Sequence, residues 1–325
     1  MTQVRGVLDQ RAHEVTGGVI AVVQGDDHET LAYGSARLHP RRPMTDDTRF
    51  PIASVTKMMV ATVVLQLVQE GKVRLDDTVD ELLPGMLPFG AKVTVEDLLD
   101  HRSGILDVFN EDPKAYPLDA DPTDAKLRQV LDHPPVDEPG TVSRYTNAGY
   151  WLLGKIIERA TGHPLAAELR QRIFVPAGMT STALATDLDE ERNLAHGYDE
   201  NGKDITAGDF SGPWAAGGVV STVGDVATFF DQLFSGRLVP ADVVGDMTTS
   251  RGLFDGSPNL GYGLGVTLLD AACGHVLGHF GDLPGFHTIA FRNPAKDRTV
   301  VEFVNTESDS APVTGQNIAF RGICY

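Results

Sequence analysis

The sequence has little cysteine, few basic residues and no long apolar run. Cys273 and Cys324 are the two cysteines among 325 residues, too few and too far apart for a disulfide framework or a cysteine-based metal site. No run of eighteen apolar residues occurs, so no segment is predicted to span a membrane. With 27 Lys and Arg against 45 Asp and Glu, the net charge of -18 disfavours binding to nucleic acid or to an anionic membrane surface.

The N-terminal segment bears on the compartment. Met1 to Gly18 contains Arg5, Asp9, Arg11 and Glu14 and lacks the apolar core of a secretory signal peptide. We therefore expect a cytoplasmic protein, unless a leader has been trimmed from the sequence.

Strand patterns lie at the two ends of the chain and helix patterns lie between them. The β-branched runs predicted as strands are 18–24, 30–35, 263–269, 275–278, 286–291 and 299–304. Val55 to Glu70 is apolar nearly all round, which is typical of a buried helix. We predict an α/β fold of the α+β type in a single domain, with a sheet lobe from about 1–55 and 255–325. An all-helical lobe from about 56–254 completes it, and a catalytic cleft is expected where the lobes meet.

The first candidate site element is Ser54 followed three residues later by Lys57. Residues three apart on a helix share a face, so the Lys57 amine can reach the Ser54 hydroxyl. An apolar pocket lowers the basicity of a lysine, which can then accept a proton near neutral pH. The alternative is an N-capping serine with a lysine at the helix edge. The uncharged stretch after Lys57, Met58 to Leu65, favours the catalytic interpretation, since such a helix normally excludes an unpaired ammonium.

The second element is Tyr145 with Asn147 two residues later, on a loop that enters a predicted helix. Tyr145 would act as general base toward Ser54 and as acid toward the leaving group, with the Lys57 ammonium favouring its phenolate or sharing the proton. Asn147 would hold Lys57 and the amide of an acyl substrate. The alternative is a buried aromatic beside an N-capping asparagine.

The third element lies where one C-terminal strand ends and turns into the next. Gly281 would let substrate lie against the strand edge, and the N–H groups of Ser54 and Asp282 would form an oxyanion pair. His279 would supply a polar or cationic group across the cleft from Tyr145, although a histidine in such a position is often structural. Trp214 is predicted either to line the acyl pocket or to be a packed loop aromatic.

These three elements, in this order, resemble the serine β-lactamase and penicillin-binding-protein superfamily. The Tyr-x-Asn and His-x-Gly forms are most similar to the class C β-lactamase branch. That branch includes D-alanyl-D-alanine carboxypeptidases, family VIII esterases, D-aminopeptidases and transacylases. Further segments match the family pattern: Leu98–Ile105, Pro176–Met179 with Thr182, Gly217–Gly218 followed by Ser221, Thr222 and Asp225, and Tyr262–Gly265. The resemblance implies an antiparallel sheet of five or more strands flanked by helices, an all-α lobe, no cofactor and an acyl-enzyme on Ser54. It also places His101 and Arg102 in a structural segment.

Two departures from the family pattern point away from β-lactams and peptidoglycan. The third element is His279-Phe280-Gly281 in place of Lys-Thr-Gly, so no lysine there binds a substrate carboxylate. Asp282 follows, and its carboxylate would repel a penicillin acid or a C-terminal D-alanine by about 1–4 kcal/mol. The missing signal peptide is also expected to separate the protein from the cell wall.

The sequence therefore predicts a serine hydrolase or transacylase that acts on a small-molecule ester or amide without a nearby carboxylate. Two alternatives stay open: a D-aminopeptidase or D-alanyl-D-alanine carboxypeptidase type of peptidase, and a catalytically inactive binding protein of the same fold. An aminopeptidase would use Asp282 to pair with the substrate ammonium. Neither the natural acyl donor and acceptor nor the oligomeric state follows from the sequence.

Overall fold

The protein is described from a computed structural model. The structure describes residues 15–107, 124–187, 193–206, 210–252, 254, 257, 259–307, 319 and 321–324. Residues 1–14 of the N-terminal stretch, on which the signal-peptide prediction rests, lie outside the described residues.

The main sheet consists of eight strands: β1 (Gly17–Gln24), β2 (Asp27–Arg37), β3 (Arg42–Pro43), β8 (Leu260–Tyr262), β9 (Thr267–Ala271), β10 (Gly274–Leu283), β11 (Phe286–Asn293) and β12 (Arg298–Val304). Their order in the sheet is β3-β2-β1-β12-β11-β10-β9-β8, and all neighbours are antiparallel. The two ends of the chain meet where β1 pairs with β12, from Gly18 opposite Val304 to Gln24 opposite Arg298. The predicted antiparallel sheet of five or more strands is confirmed.

Ten α-helices lie between β3 and β8 in the described part of the chain. The helices are α1 (Thr56–Gln69), α2 (Val79–Leu82), α3 (Val95–Leu99), α4 (Asp124–Leu131), α5 (Asn147–Thr161), α6 (Leu165–Leu169), α7 (Val175–Ala177), α8 (Trp214–Gly217), α9 (Val223–Phe234) and α10 (Ala241–Met247). Shorter turns of 3-10 helix are Ala53–Val55, Gly90–Lys92, Ala185–Asp187 and Pro294–Lys296, and Arg170–Phe174 is a π turn. Within the described part of the chain, no helix has the length and hydropathy that crossing a membrane requires.

Helix α1 is the central helix of the core. It buries eleven of its fourteen residues, including Lys57, because apolar side chains surround nearly its whole circumference. It packs against α5 and α8, while α9 packs on the sheet strands β1 and β12. The helix predicted over 55–70 is thus present, and its first residues lie next to the sheet.

The region predicted as all-helical also contains short strands. A small three-stranded sheet joins β4 (Phe50–Pro51), β7 (Val219–Ser221) and β5 (Ala183–Leu184). A further pair joins β6 (Tyr198–Asp199) and β13 (Thr306–Glu307). The Ile52 N–H donates to the Val219 carbonyl at 2.9 Å, so this small sheet holds the segment before α1 against the segment after α8.

The strand predicted over 263–269 is wrong in its first half. Gly263 donates to the Val266 carbonyl at 2.8 Å, and the chain turns there between β8 and β9. Gly265 has a φ of +79°, and a Cβ added to it would lie 2.3 Å from the Cβ of Ala61. A tight turn against α1 therefore replaces the strand, and β-branched composition does not reveal it.

Cys273 and Cys324 form a disulfide across 51 residues of sequence, with their Cα atoms 5.3 Å apart. The two cysteines are too few for a framework of several disulfides, as expected. Their separation in the sequence, however, does not prevent them from forming one disulfide. Cys324 packs in a second apolar cluster with Val276 and Ile323, and this packing brings it to the β9–β10 turn.

Strand β10 lies directly against the 3-10 turn Ala53–Val55, and Gly281 permits this contact. A Cβ added to Gly281 would lie 2.3 Å from the Ile52 carbonyl oxygen and 3.2 Å from the Ala53 Cβ. No real Cβ approaches a backbone oxygen so closely. Gly281 was predicted to make room for substrate, whereas the structure places the backbone of the segment before Ser54 in that space.

We predict that Gly281→Ala destabilises the protein by about 1–3 kcal/mol, because the extra methyl group overpacks a rigid backbone contact. Denaturant unfolding measures this change. Gly245→Ala is the matched control, since a Cβ there meets nothing within 4 Å and replaces a helical glycine, with an expected gain of about 0.5–1 kcal/mol. Equal stability of the two variants would contradict the close approach of β10.

Candidate active site

Ser54 lies in the 3-10 turn that precedes α1. Ala53 immediately before it has a φ of +47°, a left-handed conformation that costs a non-glycine residue about 1–3 kcal/mol. The neighbouring contacts of Ile52 and Gly281 hold this turn in place. The Ser54 side chain thereby faces a cavity and lies beside the N-terminal end of a helix.

The Lys57 amine meets three oxygen atoms from three different elements. Its Nζ lies 3.0 Å from Ser54 Oγ, 2.8 Å from Asn147 Oδ1 and 2.7 Å from the Ala216 carbonyl oxygen. The side chain is completely buried. The predicted pairing of Ser54, Lys57 and Asn147 is present, and Ala216 is a partner that the sequence pattern did not single out.

Burial lowers the pKa of Lys57 to about 7, and the negative charge of Asp107 offsets part of this effect. A substantial fraction of the amine is therefore neutral at neutral pH. Two of its hydrogen-bond partners, Asn147 Oδ1 and the Ala216 carbonyl, only accept hydrogen bonds. A neutral amine that donates its two hydrogens to them directs its lone pair toward Ser54.

Tyr145 contacts the nucleophile directly, since its hydroxyl donates to Ser54 Oγ at 2.6 Å. Burial raises the pKa of Tyr145 well above 10, and Tyr262 raises it further. The Lys57 Nζ lies 4.6 Å from the centroid of the Tyr145 ring. Of the two possibilities for Tyr145, the phenolate is thus disfavoured. The neutral phenol can donate a proton, and Lys57 is the group better suited to accept one.

Asn147 is the first residue of α5, and both ends of its amide are engaged. Its Oδ1 faces Lys57, and its Nδ2 donates to Asp107 Oδ2 at 3.1 Å. Asp107 is 7% exposed. Sequence reasoning missed Asp107, because it follows the family-like segment ending at Ile105 but carries no motif of its own.

His279 lies within β10 and not at its end, and its ring is neutral. The Nδ1 atom lies 2.5 Å from the Phe280 carbonyl and Nε2 lies 2.9 Å from the Tyr262 hydroxyl. Burial, together with the charge of Lys57, lowers the pKa of His279 to about 3. Its ring centroid is 6.3 Å from that of Tyr145. Of the polar and the cationic group considered for His279, the neutral ring corresponds to the polar one.

Asp282 lies near the end of β10 with its side chain 67% exposed. Its Oδ1 lies 2.6 Å from Nδ1 of His287, the residue directly opposite on β11. The two-residue turn places Leu283 and Phe286 in a hydrogen-bonded pair, so Asp282 occupies a non-hydrogen-bonded position and turns its N–H away from β11. In the described residues, β9 pairs with β10 only up to Gly278, so this N–H lies on an edge that β9 does not cover.

The cavity at Ser54 has a volume of about 320 Å³ and is lined mainly by apolar side chains. The lining residues are Ala53, Ser54, Tyr145, Asn147, Trp151, Pro213, Ala216, Gly217, Phe254, Leu260, Thr267, His279, Phe280, Asp282 and Leu283. Trp214 is not among them: it packs against Gly154 and lies under the Lys155 amine. The alternative of a packed aromatic therefore applies to Trp214, and Trp151 is the tryptophan that lines the cavity.

Nothing in the described part of the chain groups three His, Cys, Asp or Glu side chains in an arrangement suited to a metal ion. The candidate nucleophile Ser54, the candidate proton acceptor Lys57 and the candidate proton donor Tyr145 are joined by hydrogen bonds. A serine with a lysine acceptor and a tyrosine donor, beside an apolar cavity, defines a serine acyl hydrolase.

The chain belongs to the beta-lactamase family, whose family model matches residues 4–322. It is similar to the solved structure of a D-stereospecific amidohydrolase from a Streptomyces species, with 29% identity, 99% and 98% of the two chains covered and a TM-score of 0.87. A D-amino acid amidase from Ochrobactrum anthropi SV3, complexed with L-phenylalanine amide, gives 31% identity, coverage of 98% and 94% and a TM-score of 0.86.

Among curated relatives, penicillin-binding protein 4* of Bacillus subtilis is 28% identical over 319 residues, which cover 92% of this chain and 70% of that protein. The match covers only 44% and 33% of two other curated relatives. The chain is thus shorter than these proteins, whereas it matches the solved amidohydrolases over nearly their full length.

We predict that the acylation rate rises with pH through a single step with a midpoint near 7, because the reaction requires the neutral form of Lys57. The pH dependence of kcat/KM for a chromogenic aryl ester measures it. Lys57→Arg, which cannot accept a proton, should lose about 100-fold or more at every pH from roughly 6 to 9. A pH-independent rate in this range would contradict the assignment of Lys57 as the acceptor.

Proposed function

We propose that the protein is a serine amidohydrolase for small amides, and the corresponding esters, whose acyl group carries a free amine and no carboxylate. Compounds of this class include D-amino acid amides. The observation that carries the proposal is the Asp282 carboxylate, the one charged side chain among the described residues that line the cavity.

In the acylation step, the neutral Lys57 amine takes the proton of the Ser54 hydroxyl while Oγ attacks the substrate carbonyl carbon. The distance of 3.0 Å between Nζ and Oγ suits this transfer. The N–H groups of Ser54 and Asp282 are proposed to stabilise the oxyanion that forms on the carbonyl oxygen.

Collapse of the tetrahedral intermediate requires a proton for the leaving amine. Tyr145 donates it as the C–N bond breaks, and the proton held by Lys57 replaces the one that Tyr145 loses. Water then attacks the acyl-enzyme with the same groups acting in reverse, which releases the acid and restores Ser54. An amine or alcohol in place of water would give acyl transfer by the same steps.

The charge and shape of the cavity support an amine-bearing substrate. A substrate ammonium is attracted by Asp282, and a substrate carboxylate is repelled by it. Trp151, Phe254 and Phe280 offer apolar and aromatic surface for a side chain of similar character. The D configuration is suggested by the similar amidohydrolases, one of which is D-stereospecific.

We predict that the protein hydrolyses amides of aromatic D-amino acids, and that N-acetylation of the same amides lowers kcat/KM because it removes the ammonium. Ser54→Ala should abolish turnover of every compound. The measurement is a comparison of D- and L-phenylalanine amide, N-acetyl-D-phenylalanine amide, a short-chain aryl ester and a cephalosporin. Activity confined to the ester, or turnover of the cephalosporin, would contradict the proposed substrate class.

Asp282→Asn tests the recognition of the amine. It should raise KM for the free-amine amide about 10-fold, while the N-acetylated amide is little affected, because only the former carries a charge to pair. Asp270→Asn is the matched control, since Asp270 also pairs with a histidine five residues later, His275, but lies outside the cavity. Equal effects of the two substitutions would argue against a role for Asp282 in binding.

Esterase or acyltransferase activity is the second candidate, and the mainly apolar lining of the cavity, which suits an apolar acyl group, favours it. A D-alanyl-D-alanine carboxypeptidase is disfavoured, since its substrate ends in a carboxylate that Asp282 repels. A catalytically inactive protein is disfavoured by the hydrogen bonds that already join Ser54, Lys57 and Tyr145.

The compartment also stays a proposal. The N-terminal sequence led to a cytoplasmic prediction, whereas the Cys273–Cys324 disulfide favours an oxidising compartment, since disulfides persist mainly there.

A further inference from the structure

A chain of hydrogen bonds extends behind the nucleophile into the core. It runs from Ser54 Oγ to Lys57 Nζ over 3.0 Å, from Lys57 Nζ to Asn147 Oδ1 over 2.8 Å and from Asn147 Nδ2 to Asp107 Oδ2 over 3.1 Å. Asp107 does not line the cavity. It is buried, and its carboxylate accepts a hydrogen bond from the Asn147 amide.

The two ends of an asparagine amide have opposite hydrogen-bonding character. A carboxylate only accepts, so the group that Asn147 turns toward Asp107 must be the Nδ2 donor. The Oδ1 acceptor then faces the Lys57 amine. We propose that Asp107 is a positioning residue of the active site, whose carboxylate fixes the Asn147 amide with Oδ1 toward Lys57.

The orientation of the amide decides whether Lys57 can act as a proton acceptor. With Oδ1 toward it, the neutral amine donates to Asn147 and to the Ala216 carbonyl, and its lone pair is left for the Ser54 proton. With the amide reversed, Nδ2 would donate into the same lone pair. The amine would then be occupied by Asn147 at the moment when Ser54 needs it.

The charge of Asp107 acts on Lys57 as well. It raises the pKa of Lys57 and so opposes the larger, lowering effect of burial. Five other titratable groups surround Lys57. The rings of Tyr145 and Tyr150 face the Lys57 amine, and the charge of Lys57 lowers the pKa values of His101 and His279. Asp282 acts on the pKa of Tyr145. Both histidines are neutral because burial lowers their pKa values. Asp107 is therefore the carboxylate that acts on the Lys57 charge.

Asp107→Asn separates these effects with little change in volume. This inference rests on the proposed activation of Ser54 by Lys57, so the assay is the rate at which a fluorophosphonate labels Ser54, which requires no particular substrate class. We expect the rate plateau at high pH to fall about 10-fold, the effect of losing one charge-assisted hydrogen bond. We also expect the midpoint of the pH profile to move to lower pH, because the charge that raises the pKa of Lys57 is gone.

The direction of the midpoint distinguishes positioning from general damage. A substitution that merely loosens the packing would admit water to Lys57, weaken the effect of burial and raise its pKa. The midpoint would then move to higher pH. Asp225→Asn is the matched control, because Asp225 accepts hydrogen bonds from Ser181 and Thr182 and does not line the cavity. Its plateau and midpoint should equal those of the wild type.

The double variant Asp107→Asn/Asn147→Asp keeps one carboxylate and one amide in the same two positions. The carboxylate at position 147 then accepts from Lys57, and the amide at position 107 donates to that carboxylate. No reversed orientation of the group next to Lys57 is therefore favoured. We expect the double variant to label faster than Asp107→Asn, with its midpoint above that of the wild type because the negative charge is nearer to Lys57. It also provides the test if Asp107→Asn does not fold, as judged by its thermal unfolding.

The outcomes are distinct. Failure of the wild type to be labelled between about pH 6 and 9 overturns the proposed function itself. If the wild type is labelled and Asp107→Asn has the same pH profile of labelling, the role of Asp107 alone is overturned. A midpoint of Asp107→Asn at higher pH than that of the wild type also overturns it. So does a double variant that is labelled no faster than Asp107→Asn. A raised KM of Asp107→Asn for D-phenylalanine amide, with unchanged phosphonate labelling, would assign Asp107 to substrate binding and also overturn it.

Discussion

The Lys57 amine lies at the start of a helix whose apolar side chains exclude water, and three oxygen atoms meet it there. A charged amine in this position loses its hydration, and the three hydrogen bonds only partly replace it. Because its hydration is not fully replaced, the pKa of Lys57 falls to about 7, which gives Lys57 the capacity to take a proton from Ser54. Removing the burial would leave a permanently charged lysine with no capacity for this step.

The same exclusion of water assigns roles to the neighbouring groups. Tyr145 stays a neutral phenol, because burial disfavours its anion. Its position beside the Lys57 ammonium suggests a general base, but we propose that it donates a proton instead. His279 stays neutral for the same reason. Asp282, by contrast, is largely exposed and presents its charge to the cavity. One physical effect thus separates the groups that we propose to transfer protons from the group that we propose to select a charged substrate.

Much of the fold follows from patterns that are local in sequence. β-Branched runs at both ends of the chain predicted most strands of the sheet, and the uncharged run after Lys57 predicted a buried helix. The turn around Gly265 was missed, because its close contact with Ala61 depends on α1, which is remote in sequence. The lining role of Trp151 and the packed position of Trp214 likewise depend on which helix faces reach the cavity.

The sequence by itself determined the pairing of Ser54 with Lys57, since a spacing of three residues across the turn that leads into α1 brings the two side chains together. It also determined the order of the Tyr-x-Asn and His-x-Gly elements that identifies the family. The tertiary structure alone decided the proton affinities, which depend on burial by residues from several elements. It also decided the contact of Asp107 with Asn147, 40 residues apart in sequence. Local spacing is written in the order of residues, whereas hydration and long-range contacts exist only after the chain has packed.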